Sequence, residues 1–401
     1  MGRLRRIEDL GTLESRIVLV RVDYNVPMDD TGRVSDDTRI RASLATIDDL
    51  RRADARVVLM SHFGRPKGAR RPEMSLRPVV GALESLVGER VVFAEDCIGE
   101  PAAAAIAEGA GITLLENLRF HPGEEADDPD FAAALAANGD FYVDDAFSVA
   151  HRAHASVHAI AHLLPSAAGR AFAAEIDALE RVLSNPERPL AAIIGGAKIS
   201  TKIEVLEALL EKVDHLMIGG AMANTFLKAK GLEVGRSLIE EDRVETARRI
   251  LANAAERHVA LHLPRDLVVA REFREDAPTR VCAPDEVADD EMILDFGPAT
   301  VRSFIEVLST CRSLIWNGPL GAFETHPFER ATVALAEAVA EMAGNGELVA
   351  VAGGGDTVAA LHLAGVADRL THVSTAGGAF LEWMEGRTLP GVAVLTENDE
   401  G

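Results

Sequence analysis

Cysteine is nearly absent from this 401-residue chain, and the 3 that occur, Cys97, Cys282 and Cys311, are odd in number and far apart. Without a CxxC pair they indicate neither a disulfide framework nor a zinc site, and a reducing compartment is the simple reading. Positive charge is also short: 41 Lys plus Arg face 64 Asp plus Glu, a net charge of -23 that argues against nucleic acid or an anionic membrane as partner. No apolar run approaches the ~18 residues needed to span a bilayer. The basic start, MGRLRRIEDL, lacks the apolar stretch of a signal peptide and has Arg6 where a myristoylation motif wants Ser or Thr. A cytoplasmic protein is expected. Also missing are the Gly-Lys-Ser/Thr of a Walker A loop, the GxGxxG turn, the GxSxG elbow and the HExxH helix. Those absences disfavour a covalent hydrolase and a nicotinamide-dependent dehydrogenase.

Aromatic residues make up only 4% of the chain against 48% hydrophobic residues overall, which fits α/β strands filled by Val, Ile, Leu and Ala. The length exceeds what one core usually serves, so two domains are expected. Apolar β-branched runs alternate with helical patterns almost throughout, the signature of βαβ units. The expected fold class is therefore α/β, with two doubly wound, Rossmann-like parallel-sheet domains joined by a bridging helix and hinge. In PSAAGRAFAAEIDALERVLSNPERP, Phe172, Ile176, Leu179 and Leu183 form one helical stripe that Asn185, Pro186 and Pro189 stop. The domains are accordingly read as 1–170 and 187–380, with 171–186 as the bridge and 381–401 returning to the first domain.

What the strands carry at their ends differs between the halves. RIVLVRVDYNVP, ARVVLMSHFGRP, GITLLENLRFH and FYVDDAF close on charged or polar residues, while LAAIIGGAK, DHLMIGGAMA, ELVAVAGGGDT and THVSTAGGA close on glycines. Ligands of open parallel sheets bind outside the carboxyl ends of strands, so the first half reads as built for a small anion and the second for a nucleotide. Arg21, Arg39, Arg65, Arg119 and Arg152 gather at such ends within an acidic chain. DDTRIRASLATIDDL spaces Ile40, Leu44, Ile47 and Leu50 as one helix, with Asp36 or Asp37 as N-cap and Arg39 in the first turn, where an anion is already favoured. KISTKIEVLEALLEKV predicts a second helix, burying Ile199, Ile203, Leu206 and Leu210 and placing Lys198 and Lys202 together on another face.

Individual motifs stay open. GGAKISTK reads either as tight helix-to-strand packing or as backbone amides and a lysine approaching a phosphate. In GGGDT, Asp356 either holds a magnesium ion or only caps a helix. Asp295-Phe296-Gly297 spells the metal-binding tripeptide of protein kinases, but no companion loop accompanies it and coincidence is the better reading. His151, His154, His158 and His162 recur at helical spacing; with no Cys or paired acid nearby, packing or an anion site is favoured over a metal cluster, and Arg152 tips this toward an anion.

Read in order, RVDYNVP, DDTRIRASL, SHFGRPKG, LLENLRFHPGEE, YVDDAFSVAHRAHAS, GGAKISTKI, GGAMANTF, WNGPLGAFE, GGGDT and HVSTAGGAFLE resemble the phosphoglycerate kinase family from Arg21 to near the C-terminus. The resemblance implies reversible transfer of the acyl phosphate of 1,3-bisphosphoglycerate to Mg-ADP, giving 3-phosphoglycerate and Mg-ATP in glycolysis, by a monomer. It implies that Asp23 and Asn25 orient the glycerate, and that Arg39, His62, Arg65, Arg119 and Arg152 hold its phosphate and carboxylate. On the nucleotide side it implies Lys202, Gly353, Gly354 and Gly355 near the phosphates, Asp356 on the magnesium and Glu324 on the ribose, with Asn317 and Thr357 also binding the nucleotide. Gly219, Gly220, Leu238 and Leu294 would form the adenine pocket. Phosphoryl transfer needs positioning and cations more than a protein nucleophile, and Arg39 and Lys198, from opposite domains, are expected to clamp the transferring group upon closure.

The chain departs from the family's pattern at the bridge (GRAFAAEI), at Ala376 in HVSTAGGA, at Arg265 and at Phe63, none of them an assigned catalytic residue. The alternative is a non-catalytic two-domain protein that binds an anion and a nucleotide, against which Lys198 and the Asp356 magnesium site argue.

Overall fold

The computed structural model describes residues 2–108 and 111–397, so residues 1, 109–110 and 398–401 of the expected first domain and C-terminal segment lie outside the described residues. The chain divides into two compact units, one running to Ile176 and resuming at Thr388, the other Asp177–Arg387, and the division falls within the helix Arg170–Leu183. Among the described residues no helix is long and apolar enough to cross a membrane.

The first unit is built on β1 (Ile17–Arg21), β2 (Arg56–Met60), β3 (Val91–Phe93), β4 (Ile112–Leu114), β5 (Phe141–Asp144) and β6 (Ser166–Ala168), all parallel in the order β3-β4-β2-β1-β5-β6. Val18, Leu19 and Val20 are fully buried, as expected for a central strand covered on both faces. The connections after β1 and β5 leave toward opposite edges, which opens a crevice at their carboxyl ends. A short C-terminal segment completes this unit. Arg5 N donates to Leu395 O and Glu397 N to Arg3 O, each at 2.9 Å, and Gly391 N donates to Ala150 O at 2.9 Å. Leu389, Val392 and Leu395 are buried there.

The second unit repeats the plan with β7 (Leu190–Ile194), β8 (His215–Ile218), β9 (Ala260–His262), β13 (Ser313–Asn317), β14 (Val349–Gly353) and β15 (His372–Ser374), in the order β15-β14-β13-β7-β8-β9. Its switch point lies between β13 and β7. Inserted between β9 and β13 is a three-stranded antiparallel sheet, β10 (Leu267–Ala270), β11 (Thr279–Cys282) and β12 (Met292–Phe296), in the order β11-β10-β12.

Two helices differ from the periodicity. The stripe from Ile40 to Leu50 is split into Thr38–Ala42 and Leu44–Arg52, because Ser43 turns its hydroxyl onto Ile40 O at 2.8 Å and meets the Tyr24 hydroxyl at 2.9 Å. Asp37 stands at the N-cap position of the first but its side chain makes no capping bond, while Asp36 in the turn before it accepts from Thr38 N at 2.9 Å. After β7 the chain makes a 3-10 turn, Ile199–Thr201, before the helix Ile203–Leu209, so Lys198 and Lys202 do not share a helical face. Lys198 is exposed, whereas Lys202 is half-buried.

Candidate active site

In the first unit every charged strand end faces the same edge of the sheet. The Asp23 carboxylate, in the loop after β1, accepts from Arg39 Nη1 at 2.9 Å and from Ser148 Oγ at 2.6 Å. Arg39, on the helix Thr38–Ala42, also donates to Asn25 O at 3.1 Å, and Asn25 Oδ1 accepts from Gly64 N at 2.9 Å. Arg119, on the 3-10 turn Leu118–Phe120 after β4, is buried and donates to Gly64 O at 2.9 Å. Arg152, beyond β5, donates to His151 Nε2 at 3.1 Å, and Arg65 is exposed just past β2.

Behind these groups lies a buried network. Arg21 is wholly buried; its Nε donates to Ser156 Oγ at 2.9 Å and its Nη2 meets His62 Nδ1 at 3.0 Å. Ser156 in turn donates to the buried Glu124 carboxylate from its hydroxyl at 2.6 Å and its amide at 3.0 Å. Burial, reinforced by Arg21 and Arg119, holds His62 well below the usual imidazole range, and burial with Arg119 and Arg21 lowers His154 to about 4. Both imidazoles are thus neutral near pH 7, and the positive charge of the edge comes from guanidinium groups. Burial also lifts Asp144 and Asp145 to about 7.

In the second unit a cavity of about 460 Å³ opens beside the switch point. Of the residues expected at a nucleotide, Gly220, Leu238, Leu294, Glu324 and Asp356 line it, together with Gly196, Pro319 and Leu320. The backbone must approach closely here: Gly220 has φ +68, and a Cβ on it would lie 2.4 Å from Gly196 O. Gly219 is packed beneath, buried against Leu320. A hydrogen-bonded set adjoins the cavity. Buried Asn317, closing β13, accepts from Lys202 Nζ and donates to Gly353 O at 2.6 Å; Thr357 Oγ1 donates to Gly353 O at 2.8 Å and accepts from Gly318 N at 2.6 Å. Burial lowers the Lys202 ammonium against the pull of Asp356. Gly355 and Asp356 are exposed in the first turn of the helix Gly355–Leu363. Lys198, on the exposed loop after β7, does not line the cavity.

The sequence profile of the phosphoglycerate kinase family matches residues 7–387. The chain belongs to that family. It is 56% identical to the phosphoglycerate kinase of Rhizorhabdus wittichii over 98% of this chain and 99% of that one, and 56% identical to that of Sphingopyxis alaskensis over 98% and 100%. Among solved structures, the phosphoglycerate kinase of Coxiella burnetii superposes with a TM-score of 0.90 at 39% identity, covering 98% of this chain and 99% of that one. That of Pyrococcus horikoshii superposes at 0.82 and 30% identity, covering 98% of each.

The departures from the phosphoglycerate kinase pattern sit in supporting positions. Phe63 packs on the first core while its amide and carbonyl bond the Asn117 side chain at 3.1 and 2.7 Å. Arg265 is exposed and its amide donates to Thr300 Oγ1 at 2.9 Å. Ala376 is buried, with its amide on Ser374 Oγ at 3.2 Å. The kinase-like tripeptide is structural: Asp295 lies buried in β12, and Asp295 Oδ2 accepts from Ala331 N at 2.9 Å. Of the histidine quartet, His158 bonds Asp127 at 2.7 Å and His154 lies 3.9 Å from Glu124, in 3-10 and turn segments instead of one helix. Sequence reasoning missed Met292 of β12, Phe273 in a loop and Asn224 on the helix Met222–Ala229, all lining the cavity, because nothing local in the sequence distinguishes a residue that lines a pocket from one that fills a core or surface. It also missed that Arg21 turns inward to brace His62. Its place at a strand end was visible, but its direction was not.

Proposed function

We propose that the basic edge of the first unit holds 3-phosphoglycerate or 1,3-bisphosphoglycerate and that the glycine-lined cavity of the second holds ADP or ATP. The enzyme is a phosphotransferase with a carboxyl acceptor, interconverting 1,3-bisphosphoglycerate plus Mg-ADP and 3-phosphoglycerate plus Mg-ATP in glycolysis. The observation that carries the site assignment is the pairing, in one chain of this family, of a guanidinium-rich strand edge with a cavity whose glycines admit backbone amides.

Asp23 and Asn25 orient the glycerate, and Arg65, Arg119, Arg152 and the neutral His62 hold its phosphate and carboxylate. Leu238 and Leu294 sandwich the adenine over Gly219 and Gly220, Glu324 takes the ribose, and Lys202, Asn317, Thr357 and the Gly353–Gly355 loop position the phosphates. Arg39 and Lys198 are the cations assigned to stabilise the charge spread over the equatorial oxygens of the transferring phosphoryl group, a transfer that uses no protein nucleophile and forms no phosphoenzyme. The residues present fit a magnesium ion: Asp356 offers one exposed carboxylate beside the cavity, the kind of site Mg²⁺ takes with phosphates and waters. Bound there, the ion supplies neutralisation of phosphate charge. With His62 neutral, the positive charge offered to the anion comes from the arginines. The enzyme acts as a cytoplasmic monomer, a statement sedimentation and fractionation test directly.

The deciding assay measures ADP formation from ATP and 3-phosphoglycerate, coupled to reduction of the acyl phosphate, with and without Mg²⁺. Rapid magnesium-dependent turnover is expected; binding of both ligands without turnover would sink the assignment of Arg39 and Lys198.

A further inference from the structure

Asp96, Cys97 and His121 take no part in the chemistry above. Asp96 and Cys97 follow β3, just before the helix Gly99–Ala107, and His121 closes the 3-10 turn Leu118–Phe120. His121 lies 25 positions from Asp96, which is why no motif betrays the grouping in sequence. The fold nonetheless brings one ligand atom from each of the three residues within 4.8 Å of one another, and this is the only such group of His, Cys, Asp or Glu among the described residues.

Each donor is already held by a contact of its own. His121 Nε2 lies 2.7 Å from Asp96 Oδ1, and its ring stacks on Phe131 with centroids 5.2 Å apart. Cys97 N donates to Asp96 Oδ1 at 2.7 Å, and Asn138 Nδ2 fixes Cys97 O at 3.1 Å. Asp96 and His121 are half-buried and give an entry path, while Cys97 is fully buried at the floor. Donors around a tetrahedral zinc, with bonds of about 2.0–2.3 Å, stand roughly 3.3–3.6 Å apart, so the widest pair, within 4.8 Å, closes up by at most about 1.5 Å while His121 Nε2 and Asp96 Oδ1, 2.7 Å apart, part by about 0.6 Å. A thiolate, an imidazole and a carboxylate together select a borderline-soft cation over Mg²⁺ or Ca²⁺, which want oxygen alone.

We infer that Asp96, Cys97 and His121 form a three-ligand site for a divalent cation of the Zn²⁺ class, with water as the fourth ligand. On binding, the Cys97 S–H bond breaks and an Sγ–metal bond forms, the proton leaving to solvent. The hydrogen bond between His121 Nε2 and Asp96 Oδ1 gives way to two metal bonds: the neutral imidazole loses its Nε2 proton to solvent and takes one from solvent on Nδ1, so the only net proton released is that of Cys97. Nothing is oxidised or reduced.

The test uses the full chain, stripped with a chelator and then titrated with Zn²⁺ against a chromophoric chelator and with Co²⁺ under near-ultraviolet absorption. Expected are one equivalent of Zn²⁺ taken from the chelator and a sulfur-to-cobalt charge-transfer band. Cys97→Ser should abolish both, Asp96→Asn and His121→Gln should weaken binding by roughly tenfold or more, and Cys282→Ser and Cys311→Ser should leave them intact. Circular dichroism accompanies each variant, and the half-buried Asp96 and His121 substitutions decide the matter if Cys97→Ser unfolds. Absence of the band, its survival in Cys97→Ser, undiminished affinity in both Asp96→Asn and His121→Gln, or equal binding of Mg²⁺ would overturn the inference.

Discussion

Gly354 and Gly355 are neighbours in the loop closing β14, yet a methyl group added to each should do very different things. Gly354 has φ 97 and ψ 140, near a backbone region essentially reserved for glycine, where a side chain costs ~1–3 kcal/mol. Its Cβ would also lie 2.4 Å from Asn317 Nδ2, the atom that donates to Gly353 O at 2.6 Å. Pushing Asn317 aside breaks a buried hydrogen bond, a further ~0.5–1.5 kcal/mol, and removes the acceptor of Lys202. Gly354→Ala should therefore destabilise the second unit by about 2–4 kcal/mol, which for a unit of this size means a melting transition roughly 5–15 °C lower. Gly355→Ala meets nothing within 4 Å and should leave that transition within about 0.5 kcal/mol of the parent. In steady-state kinetics below the transition, Gly354→Ala should raise the KM for nucleotide by about tenfold, the ~1.4 kcal/mol of one displaced phosphate contact, with the KM for 3-phosphoglycerate unmoved. An unchanged melting transition would refute the reading of the backbone. A lowered transition with an unaltered nucleotide KM would instead show that the loop only supports the fold and that phosphates bind elsewhere.

Arg39→Ala or Lys198→Ala should each lower kcat by ~10² or more with substrate binding largely intact, and a pure KM effect in both would count against the clamp. Asp356→Asn should raise the Mg²⁺ concentration needed for half-maximal rate by about tenfold or more, read from the coupled assay. Burial lifts the Asp295 carboxyl from 3.8 to about 8, so the folded chain binds that proton more tightly than the unfolded one and stability falls as pH rises from about 4 to about 8. Asp295→Asn, which mimics the neutral acid, should flatten that slope in thermal melts; an unchanged slope would mean the carboxylate is ionised in the fold. His154 works in the other direction. With its folded value lowered from 6.5 to about 4, it costs stability as pH falls across that window, and His154→Gln should remove that part of the acid sensitivity.

The charged strand ends were legible because chemistry at a carboxyl edge is local in sequence: Asp23, Asn25, Arg39 and Arg119 each lie within a few residues of a strand or helix start. The parallel sheets were legible for a similar reason, since Val18 to Val20 or Ala191 to Ile194 admit little but a strand covered on both faces. Side-chain direction was not. Arg21 ends β1 itself and is fully buried, bonded to Ser156, whereas Arg65 lies in the loop beyond β2 and is exposed. Tertiary contacts also overrode periodicity, as where the Ser43 hydroxyl broke a stripe that looked continuous from Ile40 to Leu50. The antiparallel β10–β12 sheet escaped because its short strands carry no turn signature distinct from the loops around them.

The seam joining the two ends of the chain has a consequence for its synthesis. A ribosome releases Arg3, Leu4 and Arg5 first and their partners Leu395, Thr396 and Glu397 only after all of Asp177–Arg387 has followed. At 5–20 residues per second the synthesis of Asp177–Arg387 alone takes roughly 10–40 s, during which the surface around Ala150 and Val157 that Gly391 will cover stays open. The first unit to emerge is therefore the last to be finished. Loss of residues 388–397 would injure the unit whose sheet is synthesised before that of Asp177–Arg387.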